Sequence, residues 1–197
     1  MAKDTKQKLM DAALDIFIRD GYDGANIKDI CAEVGIVKSA FYRHFDSKET
    51  LWNEMIEQIA THYNRHFNSR KNAIQIPSSL EQFKETALAM FGFTLDDEKV
   101  IKARKLLTKE QFSDEKAKQL ANHYFCEKQE SIFAVIFSGM MEKGLIKQCD
   151  AGLLAFGFSA PLSELVHYSD RNPEKREEVL KKAADFTDMF LKEYGVK

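Results

Sequence analysis

Apolar residues recur along this chain with the period of a helix that buries one face. Leu9, Ala13, Ile16 and Phe17 stand at i, i+4, i+7 and i+8, which predicts a first amphipathic helix over about residues 4–20 with Gly21 as its stop signal. Past Gly21-Tyr22-Asp23-Gly24, Asn26 is placed to cap a short helix carrying Ile27, Ile30, Cys31 and Val34, and Gly35 breaks it. A second short helix is predicted over Lys38 to His44. Asp46 or Ser47 can cap a fourth helix, with Glu49 completing a capping box if Asp46 is the cap. That helix carries Leu51, Trp52, Met55, Ile56, Ile59 and Tyr63 and runs to about residue 69.

Residues 70–79 are polar and contain Pro77, so they read as a loop. Beyond them the helical period resumes through Leu80, Phe83, Ala87, Met90 and Phe91, then through Val100, Ala103, Leu106 and Leu107. Ser113 is placed to cap a long helix that presents Leu120, Tyr124, Ile132, Ile136 and Met140 on one side and stops at Gly144. Asp150 caps another, which Pro161 should interrupt and bend because proline lacks an N–H and crowds the preceding turn. Asn172-Pro173 opens the last helix, with Val179, Leu180, Ala183, Phe186 and Phe190 on its apolar side. The prediction is an all-α fold of about nine helices, divided into a tight three-helix unit over residues 1–48 and a larger helical bundle over 49–197.

Composition narrows the functional classes. The 197 residues are 44% hydrophobic and 30% charged, enough to bury a substantial core and unlike a disordered chain. With 29 Lys and Arg against 31 Asp and Glu the net charge is −2, so any nucleic-acid contact must come from a local patch. No apolar run reaches the roughly 18 residues that cross a bilayer, and the polar segment Met1–Gln7 has no leader character. The three cysteines, Cys31, Cys126 and Cys149, lie far apart, so free thiols and a cytoplasmic location are expected.

The local patch lies at the two short helices. Joined by the turn Glu33-Val34-Gly35-Ile36, they match the helix-turn-helix scheme in which the second helix enters the DNA major groove. From Lys28 to Lys48 four bases (Lys28, Lys38, Arg43, Lys48) stand against three acids (Asp29, Glu33, Asp46), a modest net +1. Binding on such a patch depends on placement more than on bulk charge.

The residues from Gly21 to Leu51 resemble the DNA-binding signature of TetR-type transcriptional regulators. The resemblance is carried by Gly21-Tyr22, Asp29-Ile30, Val34-Gly35-Ile36, Phe41-Tyr42-Arg43-His44-Phe45 and Ser47-Lys48-Glu49-Thr50-Leu51. It implies a two-domain regulator that is not an enzyme: a repressor released from a palindromic operator when a small, largely apolar effector binds the C-terminal domain. Position by position it places Asn26 as a cap near a phosphate, with Lys28 on the same helix. Lys38, Ser39, Tyr42, Arg43 and His44 fall on the recognition helix, Lys48 at a phosphate contact, and Phe41 and Phe45 in the core. The sequence departs from the pattern at Val37 and Ala40, where Ser and Thr are frequent, and at Ser39, where Gly is frequent. Arg43 is the residue suited to two-pronged reading of guanine, while Lys28 and Lys48 would anchor phosphates.

For the effector half the same resemblance implies a ligand pocket and a homodimer. Pocket candidates are His66, Phe91, Phe93, Arg104, His123, Phe133 and Phe137, although aromatics at helical spacing are usually core and the two histidines and the arginine read first as surface residues. The last two helices, over about 150–169 and 174–193, are apolar on wide faces and suit a twofold helical interface. The fourth helix would serve as the lever between ligand and DNA. A metal-responsive variant would draw on His62 with His66 or His123 with Cys126, and a thiol-redox variant on Cys126 or Cys149 near Lys128 and Lys147. Catalytic motifs are absent: there is no Gly-x-Ser-x-Gly or His-Glu-x-x-His, and the phosphate-loop spacing of Gly139 and Gly144 is followed by Leu145 and Ile146. Neither catalytic residues nor a metal or cofactor is assigned, and the partners expected are operator DNA, a small-molecule effector and a second copy of the chain.

Overall fold

A computed structural model of the chain describes residues 2–68 and 74–196, with side chains over 4–64 and 74–196. Ten α-helical segments follow one another: α1 (Ala2–Gly24), α2 (Ile27–Val34), α3 (Lys38–Phe41), α4 (Lys48–Asn68), α5 (Leu80–Asp96), α6 (Glu98–Glu110), α7 (Glu115–Asn122), α8 (Lys128–Glu142), α9 (Ala151–Arg171) and α10 (Arg176–Tyr194). A single π-helical turn, His123–Glu127, joins α7 to α8. Among the described residues no strand occurs beyond one isolated bridge between Ile146 and Gly195, and no helix is long and apolar enough to cross a membrane.

Helix ends fall where local chemistry puts them, with five differences from the sequence reading. Gly21 does break α1, at φ 80° and ψ 167°, but one further turn follows to Gly24. The helix predicted over Lys38 to His44 is α-helical only to Phe41; the Phe41 carbonyl then accepts from both His44 and Phe45 N–H, which tightens the last turn. Ser47, not Asp46, caps α4, its Oγ accepting from Thr50 N–H at 3.0 Å, so the Asp46–Glu49 capping box does not form. Asp114, not Ser113, caps α7, accepting from Ala117 N–H at 2.7 Å, because the Ser113 hydroxyl instead turns back to Glu110. Pro161 lies inside α9, which continues across it as one element. Asp150 and Ser79 cap α9 and α5 through side-chain oxygens.

By packing, the chain divides into two compact units, residues 1–67 with 102–121, and residues 68–101 with 122–197. The first has a core in which Leu9, Phe17, Ile30, Phe41, Phe45 and Leu51 are fully buried. Trp52 stands edge-on to Phe17 and Tyr22, with ring centroids 5.4 and 5.2 Å away.

The second unit is built on rings. Phe83, Phe133, Phe137, Phe158 and Phe190 meet with centroid separations between 4.7 and 6.4 Å. Two ion pairs join α10 to α5: the Arg176 guanidinium grips Asp96 through two 2.7 Å bonds, and Lys84 reaches Asp188 at 2.6 Å. The segment before α5 closes on α8 at Gly139, where any Cβ would stand 2.6 Å from Ile76.

Candidate nucleic-acid interface

Helices α2 and α3 are held in place from beneath and left open above. Asn26 caps α2, accepting from Asp29 N–H at 3.0 Å, and its amide also donates to the Asp29 carboxylate. Gly35 ends α2 in the left-handed conformation, φ 72° and ψ 33°, while Ile36 N–H returns to Cys31 C=O at 2.9 Å. Only glycine adopts such a turn without strain, and this closure sets the angle between the two helices. Ile30 and Cys31 from α2, and Phe41 with Phe45 after it, are buried and lock the pair onto the core.

What remains outward is the candidate interface. Lys28, Val37, Lys38, Ser39, Tyr42 and Arg43 are exposed and His44 is half-buried. Lys38 Nζ stands 6.0 Å over the Tyr42 ring, while the side chains of Lys28, Ser39 and Arg43 make no hydrogen bond or ion pair among the described residues. Lys48 is placed differently. Its ammonium donates to Tyr22 C=O at 2.7 Å and Ala25 C=O at 2.9 Å and sits 4.4 Å above the Tyr22 ring, so it ties the start of α4 to the turn before α2.

The turn that carries Tyr22 is also held by residues far along the chain that sequence reasoning passed over. Glu110, buried at the end of α6, accepts from Tyr22 N–H at 2.9 Å through one oxygen and from the Ser113 hydroxyl at 3.0 Å through the other. Lys109 donates to the carbonyls of Ile18 and Arg19 at 3.1 and 2.8 Å, satisfying the open end of α1 before Gly21. Trp52 Nε1 donates to Asp114, Lys116 to Asn53, and Lys102 pairs with Asp15. One local signal did exist. An acid in the last turn of a helix faces the negative end of the helix dipole, so Glu110 needs a donor elsewhere to be there at all.

The effector candidates do not gather in one place. Phe91, Phe133 and Phe137 are buried in the ring cluster of the second unit or beside it, and Phe93 is half-buried. Arg104 is buried and belongs to the first unit. His123, on the π-turn, is half-exposed, its ring edge-on to Tyr124 and its Nδ1 3.7 Å from Glu127. The side chain of His66 lies outside the described residues. An open groove of about 670 Å³ lies elsewhere in the second unit, lined by Cys149 just before α9, Leu153 and Gly157 near the start of α9, and Phe186, Met189 and Tyr194 toward the end of α10. Beside it Leu153, Phe156 and Met189 are 71%, 56% and 61% exposed, a large apolar surface for a folded chain. Among the described residues no three His, Cys, Asp or Glu side chains group to hold a metal ion. Burial pushes the Cys31 thiol up, against a smaller opposing pull from Lys38, while Cys126 and Cys149 are exposed.

Residues 9–55 match the model of the bacterial regulatory proteins of the tetR family. Over 88 residues the chain is 33% identical to the biofilm operon icaADBC HTH-type negative transcriptional regulator IcaR of Staphylococcus aureus strain Newman; the match covers 45% of this chain and 44% of that protein, less than half the length of either. Among solved structures, a protein of Mesorhizobium loti MAFF303099 assigned to the TetR family is 24% identical, with 100% of this chain and 99% of that one aligned at a TM-score of 0.68. SmeT, the repressor of the Stenotrophomonas maltophilia multidrug efflux pump SmeDEF, is 17% identical over 98% of this chain and 91% of its own, at a TM-score of 0.66. Its complex with triclosan aligns at a TM-score of 0.70 over 98% and 92%, again at 17% identity. At these identities the structural likeness bears on the fold alone.

Proposed function

We propose, from the match of residues 9–55 to the tetR-family model, that this chain is a homodimeric repressor that reads a palindromic operator through α3 and the turn after it and leaves it when a small, largely apolar effector binds. The observation that carries the reading is the set of exposed side chains Lys28, Lys38, Ser39, Tyr42 and Arg43, on α2, on α3 and in the tight turn that ends it, over the buried Ile30, Cys31, Phe41 and Phe45. Rigid presentation of a few polar groups at one helix is what major-groove readout needs. Arg43 would read guanine, and Lys28 would anchor a phosphate with Asn26 beside it. Lys48 would add charge near the backbone while tying the turn before α2. DNA-reading is assigned to residues 1–48 and effector response to 49–197.

Repression is supported by the roles of IcaR as a negative regulator and of SmeT as a repressor. An apolar effector is supported by the triclosan complex of SmeT. The exposed apolar face of α9 and α10 supports a twofold interface, which would set the spacing of two recognition helices. Effector binding then acts as a population shift toward a dimer whose helices no longer match successive major grooves.

The test is selection of duplexes from a random pool, followed by fluorescence anisotropy of an enriched duplex against salt, for the wild type and for Arg43→Ala. Enrichment of a palindrome, affinity that falls steeply with salt, and a loss of about tenfold or more on Arg43→Ala are expected. Weak binding that is equal on all sequences would overturn the reading.

A further inference from the structure

Val37 stands at the cap position of α3 with φ −82° and ψ 152°, and no side-chain hydrogen bond closes that helix end. Ser, Thr, Asn and Asp are preferred at this position because their oxygens accept from the first free N–H groups. Val37 is also 68% exposed, so most of its apolar surface is left uncovered by the core. The fold thus gives up a cap and exposes an apolar side chain at one point, without an intramolecular gain. The point lies on the outward face that carries Lys38, Ser39, Tyr42 and Arg43.

We infer that Val37 determines part of the sequence specificity of this protein, by packing its methyl groups against the C5-methyl of a thymine. This rests on the DNA-reading function proposed above and names the base that one side chain reads. Bases in the major groove offer hydrogen-bonding atoms at nearly every edge, and the thymine methyl is the one apolar group among them. A β-branched side chain suits the task, since its χ1 is restricted and its methyls are held in place before contact. Positive charge around it, from Lys28, Lys38 and Arg43, brings the duplex to the surface but does not distinguish thymine from cytosine. Val37 does, because cytosine presents an amino group and no methyl.

The experiment replaces each thymine of an enriched duplex, in turn, by deoxyuridine, which removes only the C5-methyl. Affinities are measured at fixed salt for the wild type, Val37→Ser and Val37→Ala, with thermal melts of each protein. At one thymine per half-site the wild type should lose about fourfold in affinity on going to deoxyuridine, the worth of one buried methyl-sized group. Val37→Ser should bind the two duplexes equally there, Val37→Ala, which keeps one methyl, should lose less than the wild type, and both should respond as the wild type does at every other thymine. Val37→Ser should melt at or above the wild-type temperature, since it restores a cap, which separates loss of reading from loss of fold. A deoxyuridine response in the variants identical to that of the wild type at every thymine would overturn the assignment to Val37 and leave DNA reading intact. Failure to enrich any duplex would overturn the DNA-reading function itself, and this inference with it.

Discussion

The carboxylate of Glu110 accepts the backbone N–H of Tyr22 at 2.9 Å, across 88 residues of sequence. With Lys109 on the Ile18 and Arg19 carbonyls, it fixes both sides of Gly21, and so the point from which α2 and α3 depart. Glu110→Ala leaves a buried N–H unpaired and should cost about 1–3 kcal/mol of stability. Glu110→Gln keeps an acceptor for Tyr22 and should cost distinctly less. Thermal melts of the two variants check the order, and equal losses would mean that a neutral acceptor at this position does not replace the carboxylate.

Gly21 adopts φ 80° and ψ 167°, a region open in practice only to glycine, and a Cβ there would stand 3.3 Å from Glu110 Oε1. Gly21→Ala should therefore destabilise by about 1–3 kcal/mol. Gly92, inside α5, has open space where a Cβ would go. Gly92→Ala should stabilise, by up to about 1 kcal/mol, through helix propensity alone. Urea denaturation of both variants should give shifts of opposite sign.

Leu153, exposed on α9 as Phe156 is, belongs with Met189 to the apolar face proposed above for a twofold partner. Leu153→Asp should leave the monomer folded, since the side chain is not in its core, and halve the mass seen by light scattering at micromolar protein. Operator affinity should fall with it, because two half-sites are no longer read together. A wild type that scatters as a monomer would refute the interface.

Asp96 is held below the ordinary carboxylate range by the paired hydrogen bonds from Arg176, with burial opposing. A carboxyl whose folded value is depressed stabilises the fold above its unfolded value and stops doing so as pH falls through the folded one. The wild type should therefore melt higher than Asp96→Asn at about pH 7, and the gap should close below about pH 4, the ordinary range for Asp. Melts across pH decide this; a constant gap would show that the pair is not electrostatic. Both groups are partly exposed, so high salt should shrink the gap as well.

Cys126 and Cys149 are exposed and Cys31 is buried with its thiol pushed up. A colourless disulfide reagent assay on the native protein should count two fast thiols, and the third only on unfolding. If Cys126→Ser and Cys149→Ser bind operator as the wild type does before and after peroxide, redox control through either thiol is removed.

Much of this protein was legible from residues close together in the chain. Helix periods, the Asn26 cap, the Gly21 and Gly35 breaks and the buried pair Phe41 and Phe45 are fixed by interactions within a few residues, so they leave a local trace. For the same reason the candidate reading face, from Lys28 to Arg43, could be drawn before any coordinates. Tertiary structure alone decided the rest. That residues 102–121 pack with the N-terminal helices, that Lys48 is committed to the Tyr22 and Ala25 carbonyls, and that Glu110 grips the turn before α2 all depend on groups tens of residues apart. Whether Phe133 and Phe137 would line a void or fill one was equally open, since the same helical spacing serves both; their ring contacts with Phe83 and Phe158 place them in the packed interior. Periodicity tells which face of a helix is buried, but the partner it meets is chosen by the whole chain at once.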